Sequence, residues 1–224
     1  QWGTGSANNP NGIGKNAIIL ADDATVGSVK AQKAFLTPNM NAIDASWGTP
    51  FHLDATTLNT GVCNYSATSD ATEADVYVLW DDTYLYMAVA SPDNDLVGGP
   101  DAYVGDGVQI WIYDETGAVQ YSNFCVTQDG SGNVQAQDYT NAWAPTDYEG
   151  NCIYDSANNM VYTMFKIKHT ALGVAEAAPG TTYAANMVRI SGTSTNNYAG
   201  WLSWGNQWGT GSANNPNGIG KNAI

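Results

Sequence analysis

The sequence predicts an all-β protein, an antiparallel β-sandwich with little helix. Short runs of alternating apolar and polar residues recur along the chain, separated by turn-forming residues such as Asp, Gly and Asn. No stretch shows the apolar spacing of a convincing amphipathic helix. A chain of 224 residues is long enough to bury a single core between two sheets.

The first eighteen residues of the chain are repeated, letter for letter, as its last eighteen. Residues 1–18 and residues 207–224 both read QWGTGSANNPNGIGKNAI, an offset far longer than the roughly 20–50 residues of a solenoid unit. The repeat indicates a window, slightly longer than one unit, on a tandem array of near-identical domains. A first residue other than Met and an end within a strand-like run agree with this interpretation. A duplicated end from cloning or permutation is the alternative.

The N-terminal part of the chain is interpreted as a junction between two units. Residues 1–22 contain a Gly- and Asn-rich loop, a short apolar strand and an Asp-Asp turn. We assign them to the final strand of the preceding repeat, or to a linking or donated strand. The domain itself is then residues 23–224. Its first predicted element is a weakly alternating edge strand over residues 29–36.

The clearest local signal is a β-hairpin. Val76, Val78 and Trp80 share one face of a predicted strand over residues 75–80, and a second alternating run covers residues 84–90. An Asp-Asp-Thr turn joins the two runs, which is the pattern of an antiparallel pair.

Further strands are predicted along the rest of the domain. Residues 107–113 alternate so that Val108, Ile110 and Ile112 share the core-facing side. One helical turn at most is expected at residues 169–173. The remaining predicted strands cover residues 119–126, 152–154, 160–168, 183–190, 201–204 and 218–224. The tryptophans assigned to the core are Trp47, Trp80 and Trp204.

Composition and charge restrict the classes of function. Charged residues make up 12% of the chain and the net charge is −14, whereas soluble domains average about 25% charged residues. The negative charge disfavours nucleic acids and anionic membrane surfaces as partners. No apolar run is long enough for a membrane span. A polar, Lys-poor surface rich in Tyr and Trp favours an extracellular, sugar-facing or fibre-forming protein.

The three cysteines leave one unpaired if the protein is secreted. Cys125 and Cys152 lie in strand-like runs on either side of a long polar loop, residues 127–150, so we expect them to form a disulfide. Cys63, in a Thr-, Asn- and Ser-rich loop, is then free or reaches a neighbouring unit. Three reduced thiols are the alternative. No Cys-x-x-Cys spacing is present, which argues against a zinc ribbon or a c-type haem.

Several motifs occur in the order found in family 9 carbohydrate-binding modules. The segment Ile43–Trp47 resembles that family's Ile-Asp-Gly…Trp opening, and residues 78–86, VLWDDTYLY, are similar to its hairpin. Residues 105–110 resemble its Asp-Ser-Val-Glu-Ile strand. Segments between residues 162 and 204 keep the family's later order, and residues 218–220 with the apolar run after them resemble its last strand.

The resemblance covers roughly residues 27–224 and implies a jelly-roll type sandwich, as in family 9 modules and the related DOMON domains. In that register residues 1–21 end the preceding unit. Two packings follow. The first copy docks on the neighbouring domain, or it completes this domain's sheet while residues 207–224 enter the next unit, as in strand donation. We favour strand exchange or an intimate strand contact, because an open edge strand invites pairing.

The resemblance also implies where a sugar binds. Family 9 modules hold the sugar between two facing tryptophans, beside a Glu. The first tryptophan corresponds to Tyr103 here, the second to Trp208, whose twin in the first copy is Trp2, and the Glu to Gln109. Aromatic rings stack on the C–H faces of a pyranose, and Gln bonds hydroxyls without carrying a charge. Loop packing or a subunit contact is the alternative role of the two rings.

Calcium is the cofactor that the resemblance implies, since family 9 modules carry it. The acidic group Asp93, Asp95 and Asp101 is the candidate site. The pairs Asp81–Asp82 and Asp22–Asp23 are further candidates. None matches an EF-hand loop, and calcium takes about six to eight oxygen ligands. Solvated turn acids are the competing interpretation.

Glycosylation is predicted at one position and catalysis is not indicated. The sequon at Asn64 lies in a predicted loop that would accommodate a glycan. His52 and His169 are the only histidines, and no Gly-x-Ser-x-Gly, His-Glu-x-x-His or phosphate-binding loop occurs. The Asp81–Asp82 pair lies in a turn and not across a cleft, as a glycosidase requires. We therefore predict that the chain is not an enzyme.

Three functions follow as hypotheses. The first is a structural unit of an extracellular filament or tandem array, joined head-to-tail to identical copies through the duplicated segment, with residual carbohydrate binding. The second is a carbohydrate-binding module of a secreted polysaccharide-degrading enzyme. The third is a DOMON-type haem carrier, with Met87, Met164, Lys168 or His169 as axial ligands. The first two are compatible, because a sugar-binding fold can be reused as a building block.

Overall fold

A computed structural model of the chain consists, in its described part, of β-strands and two short 3₁₀ helices, Ala45–Trp47 and His169–Leu172. The structure describes residues 31–54, 63–65, 71–98, 105–113, 120–128, 131–138, 143–193, 196–204 and 222–223. The strands are β1 (Gln32–Lys33), β2 (Phe51–Asp54), β3 (Cys63–Tyr65), β4 (Glu73–Trp80), β5 (Tyr84–Pro92), β6 (Gly107–Tyr113), β7 (Gln120–Gln128), β8 (Val134–Asp138), β9 (Tyr148–Asp155), β10 (Met160–Lys168), β11 (Ala184–Thr193), β12 (Asn196–Trp204) and β13 (Asn222–Ala223). The predicted all-β fold is confirmed. None of the helices described is long and apolar enough to cross a membrane.

The first sheet has the strand order β1-β4-β5-β10-β9, and β2 also pairs with β4. Its β1–β4 pair is parallel and its other described pairs are antiparallel. The predicted hairpin of β4 and β5 is confirmed, with Val78 opposite Met87. The strands predicted at 152–154 and 160–168 lie in β9 and β10, which pair as a second hairpin. Its turn ends at Asn159 with φ 52°, a left-handed conformation that Asn tolerates better than most residues.

The second sheet has the strand order β3-β12-β11-β6-β7-β8, and β13 also pairs with β11. All its described pairs are antiparallel. At Ala184 and Ala185, β11 pairs with β6 on one side and with β13 on the other. Since β12 pairs with β11 from Met187 onwards, β13 continues the position of β12 along the same side of β11.

The main core lies between the two sheets. Gly150 lets them approach closely, because a Cβ at that position would lie 2.7 Å from Val126 of the other sheet. Each aliphatic side chain buried here contributes about 1.5–3 kcal/mol. The predicted core-facing residues confirmed as members are Val76, Val78, Val108, Ile110 and Ile112.

A second apolar cluster covers the outer face of the first sheet. Trp47, predicted as a core residue, is fully buried there, and its Nε1 donates to the carbonyl oxygen of Asn39 at 2.8 Å. Asp44 caps the short helix that carries the indole. Its carboxylate accepts from the N–H and the hydroxyl of Ser46 at 2.8 and 2.6 Å. The Ile-Asp…Trp motif is therefore a capped turn that fixes Trp47 on the sheet.

Two strands lie where loops were predicted. β8 falls within the polar stretch at 127–150, and β3 contains Asn64 and Cys63, whose surroundings were predicted as a loop. These strands form the two ends of the second sheet's strand order. End strands bury less surface, so their sequences show little alternation.

The predicted edge strand at 29–36 is confirmed, in its described part, as the short β1. The predicted last strand, at 218–224, is described only as β13.

Candidate functional site

The two aromatic residues predicted to stack on a sugar, Tyr103 and Trp208, lie outside the described residues. The third predicted sugar contact, Gln109, lies on β6 between Val108 and Ile110. Since those two neighbours belong to the main core, Gln109 projects from the opposite face of the second sheet. Its side chain is buried, at 5% exposure, so its amide does not lie on an open surface.

Asp106 holds the described ends of the segment that carries Tyr103. Its Oδ2 accepts from the N–H of Val97 at 2.6 Å, and its own N–H donates to the carbonyl oxygen of Val97 at 2.8 Å. Its Oδ1 accepts from the N–H of Gly192 at 2.8 Å. Gly105 is required beside it, because φ is +97° and a Cβ would overlap the carbonyl oxygen of Val97. Asp106 thus ties the connection between β5 and β6 to β11.

Arg189, on β11, is the only arginine in the chain and is fully buried. Its Nη2 donates to Oδ2 of Asp93, its Nε donates to Oγ of Ser91 at 2.6 Å, and its Nη1 lies 3.6 Å from Oδ1 of Asp106. Both carboxylates are also buried. Buried charges persist only where they are paired, so this network joins the end of β5 in the first sheet to β11 in the second.

The structure brings together two of the three predicted calcium ligands. Asp93 and Asp95 lie close, and Asp106 completes a group whose ligand atoms are within 4.8 Å of one another, whereas Asp101 lies outside the described residues. Arg189 already supplies a cation to Asp93 and Asp106. Calcium takes about six to eight oxygen ligands. The described residues therefore fit a buried ion-pair network and do not fit a calcium shell.

Asp81 organises the turn at the other end of β5. Its Oδ1 accepts from the N–H groups of Thr83 and Tyr84, both at 2.7 Å, and its Oδ2 accepts from the hydroxyl of Tyr86 at 2.6 Å. Burial acts to raise the pKa of Asp81, but these hydrogen bonds outweigh it, so the pKa is lowered. The carboxylate is thus a structural acceptor, and the motif Trp-Asp-Asp-x-Tyr-x-Tyr encodes this turn.

A small pocket lies beside the same turn, lined in part by Trp80, His169 and Tyr183. Its volume of about 30 Å³ holds about two water molecules, so a pyranose ring does not fit. Trp80 was predicted to be a core residue but is only partly buried, with Nζ of Lys33 4.8 Å from the centre of its ring. This pocket is therefore not the sugar site.

The residues suggested as haem ligands do not converge. Met87 belongs to the main core and Met164 to the cluster on the outer face of the first sheet. Both ring nitrogens of His169 are within hydrogen-bonding distance of other groups, at 2.9 and 3.0 Å. Lys168 pairs with Asp147 at 3.3 Å. The geometry does not fit axial ligation of one iron by these residues.

Cys152 is a free, buried thiol, which corrects the predicted disulfide with Cys125. The thiol lies in the main core, where the hydroxyl of Thr163 donates to its Sγ at 3.7 Å. Val126, the residue of β7 that follows Cys125, lies in that core; the side chain of Cys125 lies outside the described part. Burial raises the pKa of Cys152 to about 11, so the thiol is protonated at neutral pH.

Sequence reasoning missed Arg189 and gave Asp106 no role beyond a motif match. One signal was available for the arginine. The strand that carries it reads Met-Val-Arg-Ile, and a single charge inside an apolar run indicates a buried pair. No sequence pattern identified its partners; Asp93, for example, lies 96 positions before it.

Glycosylation of Asn64, whose side chain lies outside the described residues, stays a prediction.

The two packed sheets and the core between them define the class of fold, a β-sandwich domain. Two sheets, antiparallel except for the β1–β4 pair, enclose the core, and polar networks at the ends of the strands hold the connecting segments. The family model described as "Carbohydrate family 9 binding domain-like" matches residues 41–221. The chain belongs to this family, a family of binding domains, and the resemblance drawn from the motifs is confirmed.

Solved structures with the same fold include a family 9 carbohydrate-binding module from Caldicellulosiruptor kristjanssonii. Its complex with glucose has 14% sequence identity and a TM-score of 0.58, covering 79% of this chain and 85% of that one. A complex with cellotriose from the same organism has 16% identity and a TM-score of 0.58, covering 88% and 89% of the two chains. These identities establish the fold alone. A comparison with curated proteins finds no match.

Proposed function

We propose that the chain is a carbohydrate-binding module that holds a glucose-based saccharide. The observation that carries the proposal is the match of the family 9 model over residues 41–221. Modules of the same fold have been solved with glucose and with cellotriose. In a secreted polysaccharide-degrading enzyme, such a module would hold the catalytic domain at its substrate.

The proposed site uses Tyr103 and Trp208 as stacking rings, whereas the buried amide of Gln109 is not one of its surface contacts. Asp106 and Arg189 support this position, because they fix both described ends of the segment that contains Tyr103. The net charge of −14 favours an uncharged ligand over an anionic one. A neutral saccharide meets that condition.

The test is a titration with cellobiose and cellotriose, followed by tryptophan fluorescence and calorimetry. We expect Trp208→Ala to weaken binding by more than about tenfold, the usual cost of removing a central aromatic contact. Trp2→Ala is the matched control, because Trp2 occupies the same position in an identical sequence of eighteen residues. Equal losses in the two variants, or no response of the unmodified protein to any saccharide, would contradict the proposal.

A second function is favoured by the duplicated segment. We infer that the chain is one unit of an extracellular tandem array or filament of family 9 sandwiches. Two observations support this inference: the identity of residues 1–18 with 207–224, and the pairing of β13, part of the second copy, with β11 of the domain. In such an array each copy of the segment would close one domain immediately before the next begins.

The array is tested by the size and shape of the native protein. Mass spectrometry of material from its source is expected to give a chain, or an assembly, several units long, and electron microscopy to show rows of equal domains. A discrete protein with one sandwich would remove this function. It would leave saccharide binding untouched.

A further inference from the structure

The start of β11 is a position for a short strand. At Ala184 and Ala185 one side of β11 is covered by β6. The other side is covered by β13, with Ala184 opposite Ala223 and Ala185 opposite Asn222. We call the backbone edge of Ala184–Ala185 on the side opposite β6, where β13 pairs, the β11 slot. Ala185 is fully buried in the main core, so the slot borders the interior of the domain.

Two segments of the chain have the sequence that fills the slot. Asn222 and Ala223, which form β13, recur as Asn16 and Ala17 within an identical stretch of eighteen residues. Strand pairing is made by backbone N–H and C=O groups, and the side chains add only the fit. A segment of identical sequence therefore pairs with β11 equally well.

The register of the repeat assigns the first copy to another domain. The two identical segments lie one repeat unit apart, and residues 222–223 of the second segment pair with β11 of this domain. In an array, residues 1–18 therefore correspond to the closing strand of the domain one unit earlier. The family match begins only at residue 41, and β1, the first strand described, belongs to the other sheet.

We propose that residues 1–18 of one chain occupy the β11 slot of a second copy, displacing its Asn222–Ala223. Two separate chains then form, without a covalent link, the same joint that an array forms within one chain. The chain's own second copy has the advantage of a high effective concentration. Exchange is therefore rare in the unmodified chain and becomes dominant when that copy cannot pair.

The test uses full-length chains with proline at the paired positions, because proline removes the backbone donor that a strand pair needs. Asn222→Pro/Ala223→Pro disables the second copy and leaves the first intact. The matched control, Asn16→Pro/Ala17→Pro, makes the same change in the same sequence at the other end. A combined variant disables both copies. Sedimentation velocity over a wide range of concentrations reports association, and circular dichroism reports folding.

We expect Asn222→Pro/Ala223→Pro to form head-to-tail oligomers whose size grows with concentration. The control and the combined variant are expected to stay monomeric. A synthetic peptide of residues 1–18 should dissociate the oligomers into monomers that each carry one peptide. A monomer at every concentration, or equal association of the combined variant, overturns the proposal.

The same peptide keeps the test decisive if the Asn222→Pro/Ala223→Pro variant does not fold by itself. Should Asn222→Pro/Ala223→Pro fail to fold, the peptide added during refolding is expected to restore the folded spectrum, and a lack of restoration overturns the proposal. The inference rests on the proposed array for its choice of partner. The two fail separately, since the length of the native chain tests the array and the variants test the slot.

Discussion

β5 has an acidic residue at each of its ends, and the two are satisfied in different ways. Before the strand, Asp81 accepts hydrogen bonds from Thr83, Tyr84 and Tyr86, all within five positions of it. After the strand, Asp93 pairs with Arg189, 96 positions away. The first arrangement can be read from a short motif and the second requires the fold. Similar acidic pairs in the sequence therefore have unrelated structural roles.

The energetic consequences of the two ends also differ. Near Asp81, the neighbouring Asp82 pairs with Lys33 at 2.7 Å, and the two side chains are 81% and 57% exposed. Water and salt screen such a pair, which is worth about 0–1 kcal/mol. The side chains of Arg189 and Asp93 have no exposure. Removing one member of a buried pair leaves the other charge uncompensated, at a cost of about 3–5 kcal/mol.

The largest expected effect is therefore that of Arg189→Met. We expect it to lower the free energy of unfolding by about 3–5 kcal/mol, measured by urea denaturation. Lys33→Met is the control for an exposed pair and should lower it by less than about 1 kcal/mol. Adding Asp93→Asn to Arg189→Met should recover part of the loss, because one uncompensated charge is removed. Equal effects of the two single substitutions would mean that burial of the Arg189 network does not determine its contribution.

The second prediction concerns the turn before β5, where the partners of Asp81 are close to it in the sequence. Asp81→Ala removes the acceptor of three hydrogen bonds and leaves the buried hydroxyl of Tyr86 without this partner. An unsatisfied buried polar group costs about 1–3 kcal/mol, so the expected loss lies below that of Arg189→Met. Asp82→Ala, at the next position in the same turn, should cost less than about 1 kcal/mol. If the order of these two variants in urea denaturation is reversed, Asp81 does not organise the turn.

The third prediction concerns the effect of pH on stability. Protonation of His169 changes the contact of its ring with the turn that contains Asp81. This histidine is buried, with Nε2 3.0 Å from the carbonyl oxygen of Asp81 and Nδ1 2.9 Å from the hydroxyl of Tyr183. Burial lowers its pKa below the ordinary 6.5. Its contribution to stability is therefore complete above that ordinary value and is lost as the pH falls through the lowered pKa. The melting temperature should fall on mild acidification, and His169→Gln should reduce that fall.

His52 is the control for this pH dependence, because its sign is opposite. A hydrogen bond with Asp75, at 2.8 Å, raises the pKa of His52 above 6.5. Its contribution is thus present below the ordinary pKa and is lost as the pH rises through the raised one. His52→Gln should leave the loss of stability on acidification in place. A fall that is unchanged in His169→Gln would show that other groups cause it.

The same division between local and distant information explains what the sequence could predict. Alternation identified β4, β5 and β6, because one face of each packs in the core and the periodicity is local. It missed β8, whose polar residues form an end of the second sheet. The predicted disulfide is corrected by the free thiol of Cys152, because strand-like runs do not show which side chains meet between the sheets. Asp93 and Asp95 were placed together by their spacing, but Arg189 is a partner that only the pairing of the sheets brings near.

The smallest expected effect is that of calcium on the unmodified chain. If calcium leaves the stability of that chain unchanged, the difference between the two ends of β5 is defined most sharply. In the unmodified chain Arg189 already compensates Asp93 and Asp106, so neither added calcium nor a chelator should shift the melting temperature. In Arg189→Met, the carboxylates of Asp93, Asp95 and Asp106 converge without the guanidinium. A ligand stabilises only the state to which it binds, so calcium should raise the melting temperature of this variant alone. Calcium stabilisation of the unmodified chain would instead show that Arg189 does not occupy the position of a cation.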